Sequence, residues 1–291
     1  MALMAGCVAG PEHRPDGGSS DAGSADAGLS DAGFDAGMDA GSDAGVDAGS
    51  DAGFFGASRC EGSGLTLCED FENGAALDGG TWTRSVSQGS LQVDSIHAAR
   101  GLSALHVHVL NAAGNHANLM NTSLFSGKGW PGNHFFGRTF FWLEPAATAM
   151  HNGFVTAKGS LYAPDGGISS ETAVYGVHET LGNFVTHYSN SSPPGAGGCD
   201  CGVKSQEPIP VARWACLEWE FNGPASTTHF WVDERAVPSA DITPALPYVA
   251  PRFESLTVGF TMYHASTDGT VAYDLWYDGF ALDSSRIGCT R

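Results

Sequence analysis

Cationic side chains are scarce in this chain of 291 residues, which has 13 Lys and Arg against 32 Asp and Glu and a formal net charge of −19. The few lysines are scattered, and no run of basic residues occurs. Proteins that bind nucleic acid need clustered Lys and Arg to neutralise phosphates. The composition therefore argues against nucleic acid as a partner.

Long apolar runs are missing as well, so no segment has the roughly 20 apolar residues that a membrane-spanning helix needs. The first residues, MALMAGC, nonetheless look like the end of a lipoprotein signal peptide, with a short apolar stretch before Cys7. A working signal also has a basic segment and a longer apolar core. We expect that translation begins upstream of Met1, that residues 1–7 are the end of the signal, and that Cys7 is lipidated. The alternative is a chance cysteine in a cytoplasmic protein.

Residues 8–56 lack the side chains that form a core. Asp-Ala-Gly occurs eight times between Asp21 and Gly53, and each unit offers a charge, a methyl group and a glycine. Ordering such a segment costs backbone entropy with little apolar burial in return. Glycine at every fourth position also opposes a helix. The sequence predicts a disordered linker over residues 8–56.

A sustained helical period is missing from residues 57–291, which contain short alternating runs instead. In SALHVHVLN, for example, Leu105, Val107 and Val109 alternate with two histidines. Many such runs, separated by Gly, Pro, Asn and Asp, are typical of β-strands. The sequence therefore predicts an all-β fold in which two antiparallel sheets form a sandwich.

Six cysteines lie in the predicted sandwich: Cys60, Cys68, Cys199, Cys201, Cys216 and Cys289. An even number in an exported domain indicates disulfides, and the spacing does not match a zinc finger. Fifteen pairings are possible. We favour a bond from the Cys199/Cys201 pair to Cys216 and leave the others open.

Several segments of the predicted sandwich resemble a known family. They are LCEDFEN, LQVDSIHAARGLSALHVHV, FGRTFFWLEP followed by His151, RWACLEWEFNG with FWVDERAVP, and YDGFALDSSRIGC, in that order. They look like bacterial surface proteins with a concanavalin A-like jelly-roll domain. These are related to a cellulose-induced fungal secreted protein and, more distantly, to glucuronan and alginate lyases. The resemblance implies contact with a polysaccharide, β-elimination in some members and a structural calcium ion in some.

β-Elimination of a uronate polymer needs a group that neutralises the substrate carboxylate, a base and an acid. Arg138 is the predicted neutraliser, with a salt bridge as its alternative role. His151 matches a family histidine and is the predicted base. Tyr188 is the predicted acid or base, and His178 a second polar contact. We expect Arg138, His151 and Tyr188 to converge in one groove.

Trp142, Lys158 and Tyr263 are the predicted substrate-binding residues, since exposed aromatic rings and a cation suit an acidic sugar. The Gln-Ile-His triplet and the Lys-Ala-Gly strand of better known alginate lyases are absent. A carbohydrate-binding module without catalysis and an adhesive surface protein therefore stay open. Glu218 and Glu220 share a strand face, but the pattern of jelly-roll glucanases is incomplete, so we disfavour a hydrolase.

Glu72 and Asp278 are the predicted ligands of Ca²⁺, because the first and last strands lie side by side in these sandwiches and carboxylate oxygens suit calcium. His106 and His108 are interpreted as part of a polar outer face, with metal binding as the alternative. We expect a lipid-anchored monomer outside the cell or on the outer-membrane surface, with an extracellular polysaccharide as its partner.

Overall fold

The computed structural model describes residues 54–73, 77, 80–126, 129–148, 151–162, 167–190, 199–246 and 248–291. All of them belong to the unit Asp47–Arg291. Cys7, the signal remnant 1–7 and the linker up to residue 53 lie outside the described residues, so those predictions stand as they were made.

Fifteen strands occur in the described residues, joined by loops and short 3₁₀ turns at Ser123–Phe125, Pro131–Asn133 and Pro238–Ala240. The strands are β1 (Leu67–Glu69), β2 (Thr83–Ser87), β3 (Gly89–Asp94), β4 (Ala104–Leu110), β5 (His116–Asn121), β6 (His134–Glu144), β7 (Asn152–Tyr162), β8 (Ile168–Thr180), β9 (Asn183–Asn190), β10 (Cys199–Pro208), β11 (Ala215–Asn222), β12 (Thr227–Val232), β13 (Arg235–Ala236), β14 (Arg252–Met262) and β15 (Ala272–Asp283). In the part of the chain that is described, no helix is long and apolar enough to cross a membrane.

The strands form two antiparallel sheets. The eight-stranded sheet has the order β13-β12-β11-β6-β15-β4-β3, with β1 also paired to β15. The seven-stranded sheet has the order β10-β9-β8-β7-β14-β5-β2. The predicted all-β sandwich is confirmed.

Aromatic rings from the two sheets meet in the core between them. Phe141 of β6 lies against Phe154 of β7, with their ring centroids 4.9 Å apart. Phe154 in turn stacks on Phe260 of β14, and Phe141 packs against Tyr277 of β15. The alternation of the sequence therefore places one face of each sheet in a shared core, as a sandwich requires.

A second, smaller cluster covers the outer face of the eight-stranded sheet. Phe54 is buried there against Phe140, Cys216 and Cys289, and Phe55 packs beside it. The packed part of the chain thus includes residues 54–56, which the sequence assigned to the linker. Two consecutive aromatic side chains directly after the last repeat explain the difference, because they bury apolar area that the repeats lack.

The disulfides correct one prediction. Cys60 bonds to Cys68, and Cys216 bonds to Cys289 rather than to the Cys199/Cys201 pair. Cys216 lies on β11 of the eight-stranded sheet, whereas the Cys199/Cys201 pair lies on β10 of the other sheet. Disulfides need Cα atoms within about 7 Å, and the Cα atoms of Cys216 and Cys289 are 6.0 Å apart.

Candidate functional site

Polar residues and glycines dominate two neighbouring rows on the outer face of the seven-stranded sheet. Residues directly opposite each other in an antiparallel pair point to the same side. One row crosses the strands through Gly202, His187, Gly176, Thr156 and Thr257, and the next through Lys204, Val185, His178, Gly153, Thr261 and His116. The inner face of the same strands contributes Phe184, Val177 and Val258 to the core. The outer face is therefore a polar surface that extends across the sheet.

Three histidines converge on this face. His178 lies on β8, His187 on β9, and His151 directly before β7. His151 Nε2 lies 3.0 Å from His178 Nδ1, and one ring nitrogen of each histidine lies within 4.8 Å of the others. His178 is fully buried, His187 is 6% exposed, and His151 is half-buried. We call these three residues the histidine cluster.

Backbone geometry makes room for the cluster. A Cβ atom at Gly176 would collide with the His178 ring, and one at Gly153 would lie 3.3 Å from His178 Nε2. His151 itself adopts a φ of 70°, which turns the chain into β7. Tyr263 follows β14, and its ring stacks on that of His151 with the centroids 4.5 Å apart. Two glycines and one left-handed residue thus let the rings lie close to the sheet.

The environment keeps His178 uncharged. Burial lowers the pKa of His178 well below its ordinary value, and the neighbouring His187 and His151 lower that pKa further. Thr156 Oγ1 lies 3.3 Å from His178 Nε2. A neutral imidazole has one N–H and one lone pair. If Nε2–H donates to Thr156, then Nδ1, the nitrogen that faces His151, carries the lone pair.

A pocket of about 240 Å³ opens beside the cluster. His151 and His187 form part of its wall, together with Thr180, Val185, Cys201, Gly202, Lys204 and His264. The chain has only three lysines, Lys128, Lys158 and Lys204. Lys158 is exposed on β7, two residues beyond Thr156 and therefore on the same outer face. Both lysines among the described residues, Lys158 and Lys204, thus lie on one sheet face of an acidic protein. We call the pocket lined by His151, His187 and Lys204 the histidine pocket.

Some of the predicted site residues meet here. His151, His178, Tyr263 and Lys158 all lie on the outer face of the seven-stranded sheet. The sequence reasoning missed His187, Lys204 and His264. His187 had a usable signal, because it alternates with Phe184, Thr186 and Tyr188 along β9 and so faces the opposite side.

The prediction that Arg138, His151 and Tyr188 share one groove is wrong. Arg138 lies on β6 of the other sheet, 1% exposed, where its Nη1 donates to the backbone oxygen of Arg291 at 2.7 Å. Tyr188 is 2% exposed in the core, and its hydroxyl donates to the Val249 carbonyl at 3.0 Å.

Trp142 also lies away from the histidine pocket. It shares the outer face of β6 with Arg138, and its ring stacks on His97 with the centroids 4.1 Å apart. Trp142 was predicted to share a site with His151 because β6 and β7 follow each other in the chain. The two strands belong to different sheets, so this prediction is wrong.

The predicted calcium ligands are close enough to interact. Asp278 Oδ2 accepts hydrogen bonds from the amides of Ala99 and Arg100, and Glu72 Oε1 accepts them from Leu102 and Ser103. Burial raises the pKa of Asp278 to about 7, although its hydrogen bonds to backbone amides oppose this, and the Glu72 charge raises it further. Asp278 is fully buried and Glu72 half-buried, and both offer the carboxylate oxygens that calcium prefers. Calcium at Glu72 and Asp278 stays a prediction.

His106 and His108 form hydrogen bonds with carboxylates on the outer face of the eight-stranded sheet. His106 bridges Asp94 and Asp274 at 2.7 Å each, and His108 lies 2.8 Å from Asp274. This arrangement agrees with the interpretation of these histidines as part of a polar face.

No protein-family model matches the sequence, and no curated protein matches it. Among solved structures, the chain is similar to "Cellulose induced protein, Cip1", with 18% identity and a TM-score of 0.54 over 77% of this chain and 99% of that one. It is also similar to the endo-β-1,4-glucuronan lyase from the fungus Trichoderma reesei, with 14% identity and a TM-score of 0.58 over 76% of this chain and 96% of that one. The predicted resemblance is confirmed at the level of the jelly-roll fold.

Proposed function

We propose that the outer face of the seven-stranded sheet binds an acidic extracellular polysaccharide, with the histidine pocket at the centre of the site. The observation that carries the proposal is that Lys204, His151 and His187 line one pocket. Tyr263 stacks on His151 beside it, and Lys158 lies farther along the same face. Extended sugar chains bind to polar surfaces that offer a few hydrogen-bonding groups and an aromatic platform. Tyr263 is 42% exposed and supplies that platform.

Local charge favours an acidic polymer. A net charge of −19 repels polyanions at long range. Salt limits such repulsion to about 8 Å at physiological ionic strength, so the groups that touch the polymer decide its binding. Those groups include Lys204 at the pocket and Lys158 on the same face, whose charges favour a uronate over a neutral glucan.

The finer proposal is cleavage of this polymer by β-elimination. The substrate carboxylate would be bound by Lys204 and the imidazoles of the pocket. His151 and Tyr263 are both partly exposed, so either can reach the sugar to remove the proton alpha to the carboxylate. The electrons then form the carbon–carbon double bond, the glycosidic carbon–oxygen bond breaks, and the leaving oxygen takes up a proton. The resemblance to the glucuronan lyase structure supports this reaction.

The test uses the full chain with its disulfides formed, incubated with glucuronan, alginate, pectate and, as a neutral control, cellulose. Binding is measured by affinity electrophoresis, and cleavage by the ultraviolet absorbance of the unsaturated product. We expect binding to an acidic polymer only. Lys204→Ala should weaken it about tenfold, the size of one charge-assisted contact. Arg213→Ala removes an exposed cation paired with Asp233 and serves as the matched control.

The outcomes separate the possible functions. Absorbance that rises with the wild type and disappears in Tyr263→Phe, while binding persists, establishes a lyase. Binding without absorbance establishes a carbohydrate-binding module. If no acidic polymer binds, the proposal is refuted, and an adhesive surface protein becomes the better hypothesis.

A further inference from the structure

We propose that His151, His178 and His187 form a binding site for Zn²⁺ or a similar divalent transition metal. Three imidazoles from two neighbouring strands and an adjoining loop residue constitute the donor set. Imidazole nitrogen suits zinc, copper and nickel, whereas calcium and magnesium prefer oxygen. The site is therefore chemically distinct from the calcium site predicted at Glu72 and Asp278.

The spacing fits zinc. Two nitrogens bound to a tetrahedral zinc ion at about 2.0–2.1 Å are separated by roughly 3.3 Å. His151 Nε2 and His178 Nδ1 are already 3.0 Å apart, and the third nitrogen lies within 4.8 Å of both. The rings of His178 and His187 stack with their centroids 4.5 Å apart and their planes 17° apart, so metal binding requires these rings to turn until their lone pairs point at one ion.

The chemistry of His178 also fits. A ligand must present a lone pair, and His178 Nδ1 faces His151 Nε2 at 3.0 Å, on the side where the three rings meet. Histidine ligands usually donate their second N–H to an outer partner, which fixes the ring. Thr156 Oγ1, 3.3 Å from His178 Nε2, is that partner.

Three protein ligands leave an open position on a tetrahedral metal, as in catalytic zinc sites. Here two of the three ligands, His151 and His187, line the histidine pocket. The open position would therefore take water or an anionic ligand from the pocket. If the proposed function holds, this ligand is the substrate carboxylate, and the metal supplies the positive charge that Arg138 was predicted to supply. His151 would then be a ligand, which assigns the proton transfer to Tyr263.

The experiment uses the full chain without a histidine tag, treated with EDTA, dialysed and kept in Ca²⁺ so that the predicted calcium site is filled. Zn²⁺ is titrated by calorimetry, the bound metal is counted by mass spectrometry, and Co²⁺ is added separately for its visible spectrum. We expect one Zn²⁺ per chain and the intense absorption of tetrahedral Co²⁺. His151→Ala, which alters a half-buried loop residue, should weaken Zn²⁺ binding at least about 100-fold, because loss of an outer partner alone costs 10–100-fold.

His116→Ala is the matched control, because this half-buried histidine lies on the same sheet face and its Nε2 lies 3.0 Å from Ser85 Oγ. It should leave Zn²⁺ affinity unchanged. His187→Gln provides a second ligand variant that keeps a polar group in place. Equal Zn²⁺ binding by the wild type and His151→Ala would overturn the proposal, as would the absence of binding at 100 μM Zn²⁺ by a folded wild type. Zn²⁺ is measured without polymer, so this result and that of the polysaccharide test are independent.

Discussion

Loss of the Cys216–Cys289 disulfide should destabilise the sandwich far more than loss of Cys60–Cys68. The two bonds span 73 and 8 residues of sequence. In the chain-entropy relation, a disulfide stabilises by restricting the unfolded chain, which gives about 4.4 kcal/mol for the longer loop and about 2.5 kcal/mol for the shorter one. Substitution of each pair by alanine avoids a buried hydroxyl group, because Cys216 and Cys289 are fully buried.

The measurement is equilibrium unfolding in urea under non-reducing conditions, with the two double-alanine variants compared to the wild type. We expect the urea midpoint of Cys216→Ala/Cys289→Ala to fall further than that of Cys60→Ala/Cys68→Ala. The free energies of unfolding of the two variants should differ by about 2 kcal/mol. Equal losses, or a larger loss for the Cys60 and Cys68 variant, would refute the loop-length reasoning. Reduction of the wild type provides a control, since it should reproduce at least the larger loss.

Three further substitutions separate stability from function. Arg138→Met should lower the free energy of unfolding by about 3 kcal/mol, because it leaves the buried carboxylates of Glu218 and Asp278 without this counter-charge. Urea unfolding measures this loss, and polymer binding by the same variant should be unchanged. Tyr188→Phe should lower the free energy of unfolding by about 1 kcal/mol, because the hydrogen bond to the Val249 carbonyl is lost. A large loss of polymer binding or cleavage in this variant would contradict the assignment of Tyr188 to the core. Gly176→Ala should displace the His178 ring and weaken Zn²⁺ binding by at least about tenfold. Calorimetry measures the Zn²⁺ affinity, and circular dichroism shows whether the variant is folded.

The sequence predicted the positions of the strands better than it predicted which face of each strand lies in the core. Periodicity of two showed that NFVTHYSN is a strand, and β9 covers it. Both faces of this strand are largely buried, so the pattern did not show which face lies in the core. Tyr188 shares its face with Phe184, and a large apolar neighbour was the better guide to the inner side.

The assignment of strands to sheets could not be read from the chain. Arg138 lies on β6 and His151 directly precedes the next strand, β7, yet β6 pairs with β11 and β15, and β7 with β8 and β14. Such pairings depend on contacts between residues far apart in sequence, which local periodicity does not encode. The family resemblance predicted the fold. The motifs that assigned a role to each residue did not show on which sheet face that residue lies.

Composition alone was also a poor guide to the electrostatics of the candidate site. Residues 8–56 hold ten acidic residues and one Arg, so about half of the net charge of −19 lies outside the sandwich. Within the sandwich, several acids are neutralised by cations: Glu218 pairs with Arg286, and Glu254 with Arg252. Lys158 and Lys204, the two lysines in the part of the chain that the structure describes, lie on the outer face of the seven-stranded sheet. The acidity of the whole chain is therefore no argument against an acidic ligand at the histidine pocket, because charges at contact distance outweigh screened charges farther away.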